Sequence, residues 1–449
     1  MKHSALRACR GALLALSVVA SAAQAAGRNA YDLTVLVAND AKYHPQVMVD
    51  PNLVNPWGIA LRPPGAGGHF WVSNAGTGTT TTYIGDVNGM PLYQDGLKVV
   101  PIVSSARDLD PSMPPGTDGV AQVTGQVYNA ASDRPGQPTE FFVQGPAVNY
   151  NDGTSRGIDA GSAKFVFVTQ DGTINAWRTK TDPGMLEAVV VKDYSTMDFM
   201  AAGLKARPGF NGVAMTTEGW TLDAQGRKVA DNRLYAADFA AGRVMTFDNQ
   251  WNDITASTPF ARPAGLSEIW HPFNVQVLSD NRVYVAWTEN ALEIDEPTEE
   301  IPGKGRIAAY DRNGQLLQDF TESDSLNNPW GMVIAPASFG AFAGALLVAN
   351  FGDGTITAYD LASGADLGHL KDADGNVISI DGIWGLTFGN GVALGDANAL
   401  YFTAGPDEER DGIFGRLNVA VVPEPGSWAL MLLGLGAGLM RQRRASAPR

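Results

Sequence analysis

The chain contains six copies of one short pattern, and this internal repeat constrains its fold more than any other feature. Each copy is a run of six mostly apolar residues, and the third residue is glycine in five of the copies. Successive copies are 67, 87, 62, 57 and 54 residues apart. They begin at Pro56, Val123, Phe210, Pro272, Pro329 and Ile383. Self-similarity of this kind indicates an architecture in which each copy contributes one supersecondary unit.

Further apolar runs follow each copy in the same order. A second run occupies 70–73, 165–169, 234–237, 283–287, 346–349 and 400–403. A third run lies at 79–84 in the first unit and begins with a glycine in the others, at Gly172, Gly242, Gly305, Gly354 and Gly412. A weaker fourth run is visible at 315–320 and 365–370. Four short strands in each of six units predict an all-β chain folded as a six-bladed β-propeller. The alternative, a two-sheet sandwich, does not predict a sixfold repeat.

The glycine in the first run has a physical reason in a propeller. The innermost strands crowd the central channel, and a residue without a side chain lets neighbouring backbones approach. Asn274 departs from the pattern, because it stands where the other five copies have glycine. We predict that the propeller spans 31–421, with its largest insertion in blade two. We also predict that a strand at 33–37 pairs with a late strand at 417–421, which removes free sheet edges.

The N-terminal segment has the pattern of a secretory signal peptide. Lys2, Arg7 and Arg10 precede an apolar stretch at 11–20, and small residues at 23–25 form a cleavage site. This order predicts a signal peptide at 1–25 that signal peptidase removes. Cys9, the one cysteine of the chain, lies within that segment, so the mature protein is expected to fold without disulfides.

The C-terminal segment at 422–449 combines three elements of a sorting address. A Pro-Glu-Pro motif precedes an apolar run of 14 residues at 427–440, and a basic cluster follows it. The motif is Pro423, Glu424 and Pro425, and the cluster is Arg441, Arg443 and Arg444. As a helix the 14-residue run would be about 21 Å long. A usual membrane span takes roughly 20 residues, so this run would span a membrane only marginally. The arginines are expected on the cytoplasmic side. We expect transient membrane insertion; a plain membrane anchor is the alternative.

The charge of the mature chain narrows the choice of partner. Without the two terminal segments, 25 basic and 46 acidic residues remain, a net charge of about −21. Nucleic acid is therefore not an expected partner, because phosphate binding needs a basic surface. The balance fits a soluble extracellular protein that attracts divalent cations.

Loops that lead into the innermost strands and loops between the second and third strands should meet at one face of the propeller. Loops on a rigid scaffold commonly carry binding residues. The ligand-binding candidates at this face are Asn55, Trp57, Asn211, His271, Asn274, Asn328, Trp330, Asp381 and Trp384. Asp238 and Asn350 are candidate ligands for Ca²⁺, which takes carboxylate and amide oxygens. In the alternative interpretation, the Asn and Asp residues cap turns and the tryptophans fill the blade cores.

Four stretches carry a resemblance to a known family. They are DPNLVNPWG at 50–58, LYAADF at 234–239, VANFGDG at 348–354 and YFTAGP at 401–406. Together they resemble a family of secreted bacterial β-propellers without an established activity, over about 31–418. Residues 237–238 and 242–244 are distantly similar to NHL-repeat propellers. The tail resembles the PEP-CTERM sorting signal of Gram-negative bacteria, which implies recognition by an exosortase, cleavage near the motif, and release to the cell surface or extracellular matrix.

Two classes of function are compatible with these features. The first is a surface or matrix protein that binds a glycan, an exopolymer or another protein without catalysis. The second is a divalent-metal-dependent hydrolase resembling the gluconolactonase and paraoxonase propellers, which hold a cation in the channel with Glu, Asn and Asp. The positions that lead into the innermost strands are mainly Asn and Gly, and the first of them is not glutamate. We therefore expect a binding protein.

Overall fold

The computed structural model describes residues 28–62, 68–103, 120–130, 138–145, 148–149, 155–156, 160–178, 185–222, 224–226, 228–290, 305–320 and 324–420. The predicted signal peptide and the predicted sorting segment, with its Pro-Glu-Pro motif and arginines, lie outside these residues. The described residues form an all-β, six-bladed propeller, as the repeat predicts. Their helices are short 3-10 turns at Ala41–Tyr43, Thr255–Ser257 and Gly340–Phe342. No helix in the described part of the chain is long and apolar enough to cross a membrane.

The strands follow one another around the ring. Before blade one, the chain forms β1 (Tyr31–Ala38) and β2 (Met48–Val49). Blades one to three contain β3 (Pro56–Ala60), β4 (Phe70–Asn74), β5 (Thr79–Tyr83), β6 (Val99–Pro101), β7 (Val123–Tyr128), β8 (Phe142–Gln144), β9 (Val148–Asn149), β10 (Ser155–Arg156), β11 (Ala160–Ser162), β12 (Phe165–Thr169), β13 (Thr173–Trp177), β14 (Val189–Asp193), β15 (Phe210–Met215), β16 (Trp220–Leu222), β17 (Lys228–Ala230), β18 (Leu234–Asp238) and β19 (Arg243–Phe247).

Blades four to six contain β20 (Trp270–Val277), β21 (Val283–Glu289), β22 (Arg306–Tyr310), β23 (Leu316–Phe320), β24 (Pro329–Ile334), β25 (Leu346–Asn350), β26 (Ile356–Tyr359), β27 (Asp366–His369), β28 (Ile383–Phe388), β29 (Leu400–Ala404) and β30 (Ile413–Val419). Each blade starts with the strand predicted from the repeat. The sheet of blade two is β7-β12-β13-β14, and β8 to β11 form small ladders in its insertion. The first strand of every blade contacts that of the next, and β28 contacts β3, so the ring closes.

Closure of the ring uses the N-terminal strand. β1 pairs antiparallel with β30 in the sheet of blade six, with Leu33 opposite Leu417. The predicted pairing is confirmed, although β1 extends beyond the predicted 33–37 at both ends and β30 begins and ends earlier than the predicted 417–421. Pairing β1 in this way covers the edge of β30.

A buried carboxylate reinforces this closure. Asp411, in the loop before β30, accepts hydrogen bonds from Asn39 Nδ2 at 2.9 Å and from the Tyr43 hydroxyl at 2.8 Å. Lys42 Nζ lies 2.6 Å from the second oxygen of Asp411. Burial disfavours the charged form of Asp411, but the three partners outweigh burial and hold its pKa below the ordinary value. The segment after β1 is thereby tied to the last blade by charge as well as by strand pairing.

The glycines of the innermost strands lie where neighbouring backbones meet. A Cβ on Gly58 would lie 2.9 Å from the carbonyl oxygen of Thr124 in the next blade. A Cβ on Gly385 would lie 2.6 Å from the carbonyl oxygen of Trp57, across the junction between the last and first blades. Side chains at these positions would separate the strands, which is the reason anticipated from the repeat.

The core lies between and within the blades. Every residue of β4, β12, β18, β25 and β29, the second strands of five blades, is buried. Large side chains such as Tyr83, Phe167 and Tyr359 are fully enclosed. Burying a side chain of this size contributes about 1.5–3 kcal/mol, so a chain without disulfides can hold the ring rigid by packing.

Candidate functional site

Four aromatic side chains fill the centre of the ring. Trp57, Phe273, Trp330 and Trp384 occupy the second position of their six-residue runs, and all are buried. Trp57 and Trp384 stack with ring centroids 3.6 Å apart. Trp330 meets both of them edge-on, at 5.8 Å. Because these residues come from the innermost strands of blades one, four, five and six, they close the channel with an aromatic plug, a name we use for these four residues.

Three predicted asparagines support the aromatic plug. Asn55 Oδ1 accepts the indole N–H of Trp57 at 3.0 Å and that of Trp384 at 3.2 Å. The third indole, that of Trp330, donates to the carbonyl oxygen of Asn211 at 2.9 Å. Asn274 Nδ2 donates to the carbonyl oxygen of Trp330 at 2.7 Å. Each indole N–H of the aromatic plug therefore has the hydrogen-bond partner that a buried tryptophan needs.

A cavity of about 590 Å³ lies over one side of the aromatic plug, and we call it the mouth cavity. Its aromatic lining comes from Trp57, Phe239, Phe273, Phe351 and Trp384. Its polar lining includes Gln170, Lys205, Asn211, Asn290 and Glu409. The volume lies within the range of small-molecule sites, about 300–1,000 Å³, and the mixture of apolar walls with a few polar groups is also typical of them.

The structure brings some of the predicted ligand-binding residues together and separates others. Trp57, Asn211 and Trp384 line the mouth cavity. Buried His271 places Nδ1 2.5 Å from the carbonyl oxygen of Phe239, beside the cavity wall. Asn328 accepts a hydrogen bond from Thr288.

Asp381 is exposed and contacts the loop that carries Glu409. Its Oδ2 accepts the backbone N–H of Asp407 at 3.1 Å. Asp381 therefore supports this loop, two residues before the glutamate that lines the mouth cavity.

The two candidate calcium ligands are fully buried and hold turns together. Asp238 accepts the backbone N–H groups of Gly209 at 3.0 Å and Ala241 at 3.1 Å, and Arg243 Nε lies 3.1 Å from its second oxygen. Burial raises the pKa of Asp238, and Arg243 and the backbone donors oppose the rise. Over the described residues, no group of three or more His, Cys, Asp or Glu side chains could hold a metal ion.

Asn350 is held in the same way at the corresponding position of blade five. Its Nδ2 donates to the carbonyl oxygen of Ser325 at 3.1 Å and to Thr357 Oγ1 at 2.9 Å. Its Oδ1 accepts the backbone N–H of Asn327 at 3.1 Å. Calcium binding at Asp238 and Asn350 stays a prediction, and these hydrogen bonds favour the alternative interpretation, in which the two residues cap turns.

Sequence reasoning missed the residues that immediately follow the second strands. Gln170, Phe239, Asn290 and Phe351 hold this position in blades two to five, and all four line the mouth cavity. Successive side chains of a strand point to opposite sides. The preceding residues, such as Asp238 and Asn350, are therefore buried within the blade while the next ones face the channel. In each of these repeats, the residue that lines the cavity is the one that follows the last residue of the second strand.

Glu409 is a further residue that sequence reasoning missed, and an unusual loop positions it. Asp407, Glu408 and Glu409 have φ angles of 60°, 55° and 64°, so three consecutive residues adopt the left-handed conformation. This conformation costs a residue with a Cβ roughly 1–2 kcal/mol. Asn55 Nδ2 donates to Glu409 Oε2 at 3.2 Å. Burial raises the pKa of Glu409, and the hydrogen bond from Asn55 opposes the rise.

Comparison with known proteins identifies the C-terminal segment. Residues 421–444 match the PEP-CTERM protein-sorting motif. Two uncharacterized proteins of Acanthamoeba polyphaga mimivirus are each 28% identical to the chain and cover 82% of it, or 76% and 81% of their own lengths. The resemblance to secreted bacterial propellers and to NHL repeats stays a prediction.

Solved structures with low sequence identity also align with the chain. An α-L-arabinanase of Penicillium chrysogenum is 10% identical, with a TM-score of 0.43 over 87% of this chain and 99% of its own. A glucose dehydrogenase is 12% identical, with a TM-score of 0.40 over 86% of this chain and 98% of its own. Neither likeness bears on the ligand.

Proposed function

We propose that the chain is an exported cell-surface or extracellular-matrix propeller that binds a saccharide of a glycan or exopolymer in the mouth cavity, without catalysis. Signal peptidase and an exosortase would process its two ends. The apolar part of the sorting segment would insert transiently in the membrane before the mature protein reaches the cell surface.

The observation that carries the binding proposal is the pairing of aromatic rings with amide groups in one cavity. Phe239 and Phe351 are partly exposed, so their ring surfaces are available to a ligand. Gln170, Asn211 and Asn290 bring side-chain amides to the same cavity. A sugar ring presents apolar C–H faces and hydroxyl groups, which such rings and amides complement. Aromatic side chains supply contact area at low cost in conformational entropy.

Export fits the same proposal. The PEP-CTERM motif at 421–444 implies processing by an exosortase on the way to the surface. The mature chain carries a net charge of about −21, which keeps a secreted protein soluble. The rigid ring, closed by β1, gives loop-borne side chains a fixed spacing, and a fixed spacing lowers the entropic cost of binding.

Calorimetric titration of the mature secreted protein with a panel of neutral oligosaccharides tests the proposal. We expect at least one member to bind, and Phe351→Ala to weaken its binding about tenfold or more. Phe142→Ala is the matched control, because Phe142 is also exposed and lies outside the mouth cavity. Melting temperatures would confirm that both variants are folded. A panel without any binding member, or equal losses in both variants, would remove the proposal.

A further inference from the structure

A single carboxyl group lies among the aromatic rings of the mouth cavity. Glu409 is the acidic side chain of the lining, and Lys205 is the basic one. Lys205 is exposed and already pairs with Glu268, 3.1 Å away. Within the described ranges, no lysine, arginine or histidine forms an ion pair with Glu409. Among the residues that the structure describes, the Glu409 carboxylate thus lies in a partly apolar cavity without an ion-pair partner.

The same asparagine connects Glu409 to the aromatic plug. Asn55 gives its amide N–H to Glu409 and receives the indole N–H groups of Trp57 and Trp384 on its oxygen. The side-chain amide of Asn55 therefore bridges the Glu409 carboxylate and the two stacked indoles. Phe351 stacks on Trp384 at 4.0 Å and covers that face of the indole, so the ring faces open to a ligand in this cavity are those of the partly exposed Phe351 and Phe239.

This combination matches the chemistry of a cation. A positively charged group is attracted to aromatic faces, and a carboxylate in a poorly solvated site is stabilised by an opposite charge. A neutral ligand would leave the burial of the Glu409 carboxylate uncompensated. The acidic character of the mature chain, about −21, would also draw cationic ligands toward the protein.

The conformation of the acidic loop fixes the position of the carboxyl group before a ligand arrives. The backbone N–H of Glu409 donates to Gly405 at 3.2 Å, and that of Asp411 donates to Pro406 at 3.2 Å. The strain of three left-handed residues is held by these bonds and by Asp381. Strain of this kind gathers at functional sites, because it holds groups in the geometry that a ligand needs.

We infer that the mouth cavity binds an aminated saccharide, whose protonated amino group lies against the aromatic rings and pairs with Glu409. This inference rests on the proposed saccharide-binding function and narrows its ligand. Glucosamine units of a deacetylated exopolymer have the required chemistry: a sugar ring together with a primary ammonium group.

Titration with two oligosaccharide series of equal length tests the inference. One series consists of glucosamine and the other of N-acetylglucosamine, at a pH of about 6, below the ordinary pKa of an amine. We expect the mature protein to prefer the glucosamine series by about tenfold, a typical scale for a desolvated cation–π contact with a paired charge. Glu409→Gln should remove that preference, because glutamine keeps an acceptor for Asn55 but lacks the charge.

A neighbouring substitution provides the control. Glu408→Gln removes the same charge from the same loop, but Glu408 is exposed and pairs with Arg410 at 3.0 Å. We expect Glu408→Gln to keep the preference for glucosamine. Binding of both series with equal affinity would overturn the inference while leaving the saccharide-binding proposal standing. Equal loss of the preference in both variants, or binding of neither series, would overturn it as well, and the panel of neutral oligosaccharides would then decide separately whether the saccharide-binding proposal stands.

Discussion

Trp57 of the first blade and Trp384 of the last blade stack face to face, with ring centroids 3.6 Å apart and planes 16° from parallel. Both indole N–H groups donate to Oδ1 of Asn55. The ring is therefore joined at its centre by an aromatic pair, as well as at its rim by β1. The amide that fixes this pair also contacts Glu409, so closure of the fold and the shape of the mouth cavity depend on the same side chain.

Removing one member of the pair should destabilise the whole ring. We expect Trp384→Ala to lower the free energy of unfolding by about 3–5 kcal/mol, because it leaves a void between Trp57 and Phe351. Urea unfolding followed by circular dichroism measures the change. Trp220→Ala serves as control, since Trp220 is 49% exposed, and its effect should be smaller. Equal losses in the two variants would contradict a structural role for the stack.

Asn274, the exception to the glycine pattern, is expected to be energetically coupled to Gly212 in the neighbouring blade. A Cβ on Gly212 would lie 1.9 Å from Oδ1 of Asn274, so Gly212→Ala forces the asparagine or the strand to move. We expect Gly212→Ala to be destabilising in the natural background and less so beside Asn274→Gly, with a coupling of about 1 kcal/mol or more. A double-mutant cycle from urea unfolding provides the four values. Additive effects would show that the two positions do not compete for space.

The fold was predictable because the repeat is a property of the sequence itself. Six runs with a glycine or Asn274 at the third position gave the number of blades, and the runs that followed gave the strands. The two apolar segments at 33–37 and 417–421 were enough to predict closure, although their pairing is centred a few residues earlier. Repetition made local patterns reinforce one another.

The site was predictable only in part, because a side chain's direction depends on strand register. Trp57, Asn211 and Trp384 were chosen and do line the mouth cavity. Selection by polar residue type picks Asp238 and Asn350 and passes over Phe239 and Phe351, the next residues along the chain, which line the cavity. The position of Glu409 depends on a loop of three left-handed residues, and no sequence pattern predicts that conformation.

Asp411 should make stability depend on pH in the acidic range. Its folded pKa is lowered by its hydrogen bonds, against the effect of burial. The contribution of the Asp411 carboxylate to the free energy of unfolding is therefore complete above the unfolded pKa of about 3.9, and it is lost as the pH falls through the folded pKa. We expect the difference in unfolding free energy between the natural protein and Asp411→Asn to be largest near neutral pH and to shrink below about pH 4. A difference that is constant with pH would contradict this.

Processing should remove the arginine cluster. Residues 421–444 match the PEP-CTERM motif, and we expect cleavage near 422–426 before release. The intact mass of protein recovered from the cell surface or medium should then exclude Arg441, Arg443 and Arg444. Replacing Pro423, Glu424 and Pro425 with alanines should leave the chain in the membrane fraction. Surface material that retains Arg444 would contradict processing at the motif.

The two roles considered for Asp238, calcium ligand and turn cap, lead to different results. A calcium ligand would raise stability by about 4 kcal/mol at a thousandfold excess of metal over the dissociation constant. Each oxygen of Asp238, however, already accepts a hydrogen bond, from Gly209 and Ala241 on one side and from Arg243 on the other. A buried carboxylate whose two oxygens already accept hydrogen bonds in this way is better suited to capping a turn than to binding a cation.

We therefore expect the melting temperature to be the same in Ca²⁺ and in chelator. Asp238→Ala should lower the unfolding free energy by about 1–3 kcal/mol in both, because it leaves buried donors without an acceptor. Asp353→Ala is a control from the corresponding turn of blade five, where the exposed carboxylate accepts the backbone N–H of Thr355 at 2.9 Å. Asp353→Ala should lower the unfolding free energy by less than Asp238→Ala, since water can replace an exposed acceptor. A melting temperature that rises with Ca²⁺, and a rise that Asp238→Ala abolishes, would establish the metal role instead.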